Sequence, residues 1–162
     1  MQSSFTMKAP FGSILLKQSN GQPCVVILSN QKTEDSHHSL PVPDKIQQIS
    51  QLLERYFENK NTIFTLDFDR VTSQTGTAFQ KKVWQAICQI PVGKTSSYSE
   101  IARNIGSGPR AVANACGANQ LPILVPCHRV VAKNGLGGFM QGADGGLAIK
   151  KWLLKHEGIT CE

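Results

Sequence analysis

Cys127, His128 and Arg129 stand side by side in the stretch Ile123-Leu124-Val125-Pro126-Cys127-His128-Arg129-Val130-Val131, bracketed by apolar residues. A thiol reacts as its thiolate. An apolar surround raises the cost of that charge, and an adjacent imidazole and guanidinium lower it. The triplet therefore fits an activated, partly buried nucleophile. It fits equally a buried strand carrying an inert cysteine, because a free Cys is usually buried and behaves as a small hydrophobe. Spacing alone leaves both readings open. There are five cysteines, Cys24, Cys88, Cys116, Cys127 and Cys161, an odd number without a C-x-x-C, so the common structural zinc pattern is missing. Cys24 with His37 and His38 could ligate a metal, but adjacent histidines in a polar loop read first as solvated side chains. Six glycines lie within residues 134–146. They do not form the G-x-G-x-x-G that opens a helix after a strand, so no dinucleotide site is expected.

The elements that must position these residues can be read from caps and periodicity. Thr77 is placed to cap a helix with Phe79, Val83, Trp84, Ile87 and Ile90 on one face, stopped by Pro91 and Gly93. Ser97 is placed to cap a second helix running through 101–105, Gly106-Ser107-Gly108 makes a tight turn, and Pro109 opens a third helix through 118. Helix, glycine turn, helix is helix-turn-helix spacing, though many helical hairpins share it. Residues 110–117 of the third helix are mostly small, which lets a backbone approach a partner closely. Its N-terminus, carrying Arg110, favours phosphate. A last short helix over 149–156 has Trp152 and Leu153 on its apolar side and closes at Glu157.

Upstream, Ser13-Ile14-Leu15-Leu16 and Cys24-Val25-Val26-Ile27-Leu28 read as strands around Ser19-Asn20-Gly21, a strong hairpin signal. A polar loop runs to Pro43. Asp44 opens an amphipathic helix with Ile46, Ile49, Leu52, Leu53 and Tyr56 at helical spacing, and residues 63–68 alternate as a further strand. The expected fold class is α+β: a small N-terminal αβ domain over 1–70, in which no chemistry is read, a linker over 71–76, and a mainly helical domain over 77–162 with a helix-turn-helix.

The 162 residues are 40% hydrophobic and 17% charged, ordinary globular composition. No run approaches the length of a membrane span, and the N-terminus lacks the charged and apolar regions of a secretory signal. A cytoplasmic protein with reduced thiols is expected. The net charge of +6 is one-sided: residues 1–76 hold 7 Lys+Arg against 7 Asp+Glu, and residues 77–162 hold 10 against 4. That excess points to a polyanion partner for the C-terminal half.

Pro126-Cys127-His128-Arg129-Val130 resembles the active-site motif of the O6-alkylguanine-DNA alkyltransferases, the methylated-DNA–protein-cysteine methyltransferases. Phe79, Val83-Trp84, Ile90-Pro91, Gly93, Ser97-Tyr98, Ile101-Ala102, Arg110-Ala111-Val112, Asn119, Pro122, Lys150, Trp152-Leu153-Leu154 and Glu157-Gly158 fall where that family has similar residues, so the resemblance spans about 77–159. It implies direct repair of duplex DNA. The protein would bind damaged DNA by a helix-turn-helix in the minor groove, without cofactor or metal and as a monomer before it meets DNA. It would move the alkyl group of O6-alkylguanine irreversibly to Cys127, once per molecule, with O4-alkylthymine as a second candidate lesion. Arg110 would fill the stack as the base flips out, with Tyr98, Ser99, Ala111 and Asn114 as further DNA contacts. His128 would take the thiol proton through a bridging water, Glu157 would hold the imidazolium, Asn119 would fix the turn bearing the cysteine, and Tyr98 would donate to the leaving guanine. Pro122 and the backbone of Val130 would line the pocket.

One departure concerns the glycine loop. Members usually carry a Gly-Tyr pair there. Here the pair is Gly138-Phe139, and Met140-Gln141-Gly142-Ala143-Asp144 lengthens the loop. A glycine-rich loop loses much freedom on ordering, so this one is expected to be mobile without DNA and to leave a less filled wall open to bulky O6 groups such as benzyl. Two other classes compete. A damage-binding module without chemistry carries Trp in place of the cysteine, which Cys127 opposes. A Cys–His hydrolase needs an oxyanion hole and a distant His positioned by the fold, and nothing beyond the last helix suggests one.

Overall fold

The computed structural model describes residues 3–19, 22–29, 42–59, 76–139 and 145–160. β1 (Ser3–Ala9), β2 (Gly12–Ser19) and β3 (Gln22–Ser29) form an antiparallel sheet in the order β1-β2-β3. The register sets Met7 opposite Ile14, Ile14 opposite Ile27 and Leu16 opposite Val25. All five are buried, as side chains of one pleated face should be when that face is covered. The cover is α1 (Asp44–Glu58), whose Ile46, Ile49, Leu53 and Tyr56 make a buried stripe against β1 and β2. The two strands and the helix expected here are present, the strands longer than read. β1 was not anticipated: Phe5 and Met7 are too few apolar residues to mark a strand. The expected turn at 20–21, the metal candidates His37 and His38, the strand at 63–68, linker residues 71–75 and loop residues 140–144 lie outside the described residues.

The second half is helical. Thr77 accepts from Gln80 N at 3.1 Å while the Gln80 side chain accepts from Thr77 N at 2.9 Å. That reciprocal cap starts α2 (Ala78–Cys88). Ile90 falls just past the end of α2 and is still buried. β4 (Ser96–Ser97) leads into α3 (Tyr98–Ile105), where Ser97 Oγ accepts from Glu100 N at 3.0 Å. Gly106, at φ 71°, ends α3 in the left-handed region. α4 (Pro109–Gly117) follows after two more residues, and α2, α3 and α4 pack on one another. Trp84, fully buried on α2, donates its Nε1–H to Ala115 O on α4 at 2.9 Å.

Cys127 does not sit in a buried strand. Cys127–Arg129 form a single 3-10 turn, and only Val130–Val131 continue as β5, parallel to β4. α5 (Gly146–His156) closes the order and packs on that turn. The buried apolar residues of the sheet, α1, α2, α3, α4 and α5 form one connected cluster. The sheet is also tied to the reactive segment directly: Val25 N–H on β3 donates to Gln120 O at 2.9 Å.

Trp84→Phe should lower stability by about 2 kcal/mol, because it removes the buried indole bond to Ala115 O, leaving that carbonyl only the Ala118 N–H, and leaves unfilled volume. Urea denaturation would measure it, and an unchanged midpoint would show that the α2–α4 contact does not depend on this bond.

Candidate active site

The chain leaves α4 at Gly117 and enters a turn organised by Asn119. Asn119 Oδ1 accepts from Leu121 N at 3.0 Å, and its Nδ2 donates to Val125 O at 3.0 Å and to Cys127 Sγ at 3.3 Å. Inside this turn Ile123 has φ 75° and is fully buried. A β-branched residue in the left-handed region is strained and persists only where its surroundings over-determine it. Here the Asn119 bonds and the Val125 N to Leu121 O bond at 2.9 Å fix both ends of the turn. Cys127, 8% exposed, follows with its N–H on Val125 O at 2.7 Å. Burial pushes the Cys127 thiol up, against the Asn119 hydrogen bond and the Lys150 charge, which pull it down.

A thiol raised in this way needs a base. His128 is fully buried, and its Nε2 lies 2.6 Å from Glu157 Oε2. A carboxylate accepts, so Nε2 carries the hydrogen and Nδ1 keeps the lone pair. Nδ1 is buried without a protein hydrogen-bond partner. Burial holds the imidazole below its ordinary value, outweighing the favourable Glu157 contact. The ring is thus neutral, next in sequence to the thiol, with one basic nitrogen uncommitted to protein.

Glu157, 2% exposed, accepts at both oxygens: from His128 Nε2 and from Tyr56 Oη at 2.5 Å on Oε2, and from Arg129 Nε at 2.7 Å on Oε1. Burial pushes its carboxyl up, but the bonds from His128, Arg129 and Tyr56 prevail and hold it down at about 2. Arg129 spends its other arm on Ile90 O at 2.7 Å. Lys150 is a second buried charge, fully enclosed on α5. Its Nζ donates to Val130 O at 2.7 Å, Leu136 O at 2.5 Å and Gly138 O at 3.0 Å, which anchors the start of the glycine loop.

Tyr98 is half-buried, with its hydroxyl 3.5 Å from Gly138 O and Lys150 Nζ 5.9 Å from its ring centroid. Burial pushes its phenol up to about 12, so it keeps its proton as a donor. Gly137, at φ 75°, lies so close that a Cβ there would sit 2.8 Å from Tyr98 Cε2. A cavity of about 660 Å³ is lined by Cys127, Asn119, Pro122, Cys116, Phe139 and strand β3. Phe139 is 6% exposed, so the wall expected to be underfilled carries a buried aromatic at this point. Val130 is fully buried and is not among the residues lining this cavity.

The candidate residues fall into two groups. Asn119 is bonded to Cys127 and His128 to Glu157, the two pairs meeting where Cys127 and His128 adjoin in sequence, and Pro122 lines the same cavity as Asn119 and Cys127. Ser99, Arg110 and Asn114 are exposed on α3 and α4, with Ala111 half-buried beside them. The structure adds Tyr56, from a unit in which no chemistry was read: its hydroxyl is bonded to the Glu157 carboxylate. It also gives Lys150 a definite place. Lys150 had a signal in the sequence, a cation three and four residues before the buried Leu153 and Leu154, on the apolar face of α5. Among the described residues, no group of three or more His, Cys, Asp or Glu could hold a metal ion, and no helix is long and apolar enough to cross a membrane.

Residues 78–159 match the family model of the 6-O-methylguanine DNA methyltransferase DNA-binding domain. A methylated-DNA–protein-cysteine methyltransferase of Methanosarcina acetivorans is 38% identical over 161 residues, covering 93% of this chain and 95% of that one. The crystal structure of the Mycobacterium tuberculosis O6-methylguanine methyltransferase is similar at 35% identity with a TM-score of 0.73, covering 97% of this chain and 93% of that one. The M. tuberculosis protein in complex with DNA is similar at 33% identity with a TM-score of 0.72, covering 96% and 92%.

The two buried ionisable partners make stability depend on acid. Glu157 sits at about 2 in the fold against an ordinary 4.5, so its contribution is complete above pH 4.5 and is lost as pH falls toward 2. It amounts to about 3 kcal/mol. His128 is held below its ordinary 6.5, so below that pH the unfolded chain binds a proton the fold resists. The urea midpoint should therefore decline below pH 6.5 and more steeply below 4.5. A flat profile from 7 to 5 would mean that His128 is less buried than the geometry has it, and a flat profile from 4.5 to 2.5 that the bonds to Glu157 are not made.

Proposed function

This chain belongs to the methylated-DNA–protein-cysteine methyltransferase family, and we infer that Cys127 is its alkyl acceptor. The protein is a DNA repair methyltransferase that moves an alkyl group from O6-alkylguanine in DNA to a cysteine of its own. The observation that supports the assignment to Cys127 is the buried pair next to it in sequence: His128, its Nδ1 uncommitted to protein and its Nε2–H held by the Glu157 carboxylate, directly follows a thiol held by Asn119. His128 Nδ1 takes the thiol proton through one bridging water, and Glu157 Oε2 holds the imidazolium that forms. The sulfur then forms a bond to the O6-alkyl carbon as the carbon–O6 bond breaks, and the electron pair leaves with the guanine. Tyr98, a phenol that keeps its proton, donates to the departing ring. Asn119 aims the sulfur, and Pro122 bounds the base. Among the described cysteines, Cys127 is the one followed directly by a buried histidine whose tautomer a carboxylate fixes.

We read α3, the glycine turn and α4 as a helix-turn-helix that presents Ser99, Arg110, Ala111 and Asn114 to duplex DNA. Arg110, exposed in the first turn of α4, enters the stack where the flipped base was. Residues 1–70 serve as a supporting unit and 77–162 as the DNA-binding acceptor, and the chain meets DNA as a monomer. The basic excess of the second half makes binding weaken with salt as phosphate contacts release counterions.

A thioether on Cys127 offers water no leaving group, so label from O6-methylguanine DNA should pass to Cys127 one to one and stop. Cys127→Ser should lose transfer and keep DNA binding, read by mass mapping and by gel shift. Repeated turnover on excess DNA, or label on another residue, would overturn the assignment.

Arg110→Ala should slow transfer from duplex DNA on the order of tenfold or more while barely changing transfer from a free O6-benzylguanine base, because only the duplex has a stacked base to replace. Equal slowing on both substrates would place Arg110 in support of the fold.

A further inference from the structure

Glu157 Oε2 accepts from two donors, the His128 imidazole at 2.6 Å and the Tyr56 phenol at 2.5 Å, 101 residues away in sequence. A carboxylate oxygen has two lone-pair sites, and here one serves the base and the other a side chain of the N-terminal unit. Tyr56 is itself held firmly. It is fully buried on α1, its ring meets Phe57 edge-on at 5.6 Å and His156 at 5.1 Å, and its carbonyl accepts from His156 Nε2 at 2.7 Å. Burial and the neighbouring Glu157 charge push its phenol far up, so it donates throughout the working range.

We propose that Tyr56 is a positioning residue of the transfer reaction, in which the N-terminal unit, by donating to the oxygen that orients His128, fixes that carboxylate and sets how strongly the imidazole attracts the thiol proton. The proposal rests on the reading of Cys127 and His128 given above. A hydrogen bond to an ionised carboxylate spreads its charge and makes it a weaker acceptor toward its other donor. With the phenol present, Glu157 stabilises the imidazolium less, so His128 stays neutral and available as a base to lower pH. Without it, Glu157 leans harder on Nε2–H and the imidazole protonates sooner as pH falls. The charged and titratable groups around this carboxylate are Tyr56 from α1, His128 and Arg129 from the 3-10 turn, and His156 from α5 beside Tyr56. Behind them Lys150 of α5 bears on His128, and Cys88 of α2 faces Arg129.

The test is the pH dependence of single-turnover transfer from O6-methylguanine duplex by the full chain, with the nitrogen chemical shifts of His128 followed by NMR in the same variants. In Tyr56→Phe the acid limb of the rate and the His128 midpoint should both move up by about half a pH unit, and the maximal rate should fall severalfold as the carboxylate loses its second anchor. A ring-fluorinated tyrosine at this position, a stronger donor of the same shape, should move both midpoints down. It carries the test alone if Tyr56→Phe does not fold. A rate lowered by one factor at every pH, with the His128 midpoint unmoved in both variants, overturns the proposal and leaves Tyr56 a packing residue. Absence of transfer in the unaltered protein would instead count against the reading of Cys127, and the NMR midpoint would still decide the role of Tyr56.

Discussion

A carboxylate removed from water needs its full set of donors, and Glu157 obtains them from distant parts of the chain. Tyr56 arrives on α1, His128 and Arg129 on the 3-10 turn, and Glu157 itself follows the last turn of α5. Arg129 then extends the tie to the end of α2 through Ile90 O. Removing any one partner leaves a buried charge short of a bond, which costs far more than the bond contributes. That requirement ties α5, the 3-10 turn and α1 together, alongside the shared apolar cluster and the Val25–Gln120 bond. An isolated surface ion pair would impose nothing of the kind.

The same burial separates the thiol from its base. Desolvation raises Cys127 and lowers His128, so at rest both are neutral, and the buried charges nearby are the anchored Glu157, Arg129 and Lys150. In the proposed transfer from Cys127 to His128, charge would develop as the proton moves, beside groups already oriented to receive it. The imidazolium meets Glu157, and the thiolate meets the Asn119 amide and the Lys150 field. Pairs of groups whose surroundings drive their acidities apart are how one site holds an acid and a base near neutrality. Lys150 has a mechanical part as well, since the carbonyls of Val130, Leu136 and Gly138 converge on it and tie the start of the glycine loop to α5.

Local signals in the sequence carried a good deal of this. Thr77, Ser97 and Pro109 mark helix starts through their own backbone bonds or ring, and those starts are where the sequence puts them. Cys127, His128 and Arg129 announced themselves by crowding three reactive types between apolar residues. The same run read equally as a strand, because apolar content does not say that Asn119 will bend the chain into a turn with Ile123 in the left-handed region. β1 was illegible because its burial depends on α1, which lies far along the chain. Tyr56 looked like one more core residue of an amphipathic helix. Its chemistry lies in its hydroxyl, whose partner is 101 residues away, and no periodicity reports such a contact. The wall around Phe139 was read as less filled because a phenol is absent there, whereas the Phe139 ring is buried and lines the cavity.

Two of the contacts that define the site, Tyr56 with Glu157 and Val25 with Gln120, close very long loops. Loop closure of that kind comes late, after local helices and hairpins have formed. A chain still short of its native topology therefore carries Cys127 as an ordinary solvated thiol, with His128 free to rotate and to charge. Reactivity of the intended kind emerges together with cooperative completion of the fold. For a protein that spends its nucleophile once, the nucleophile is armed only in molecules whose two halves have already met.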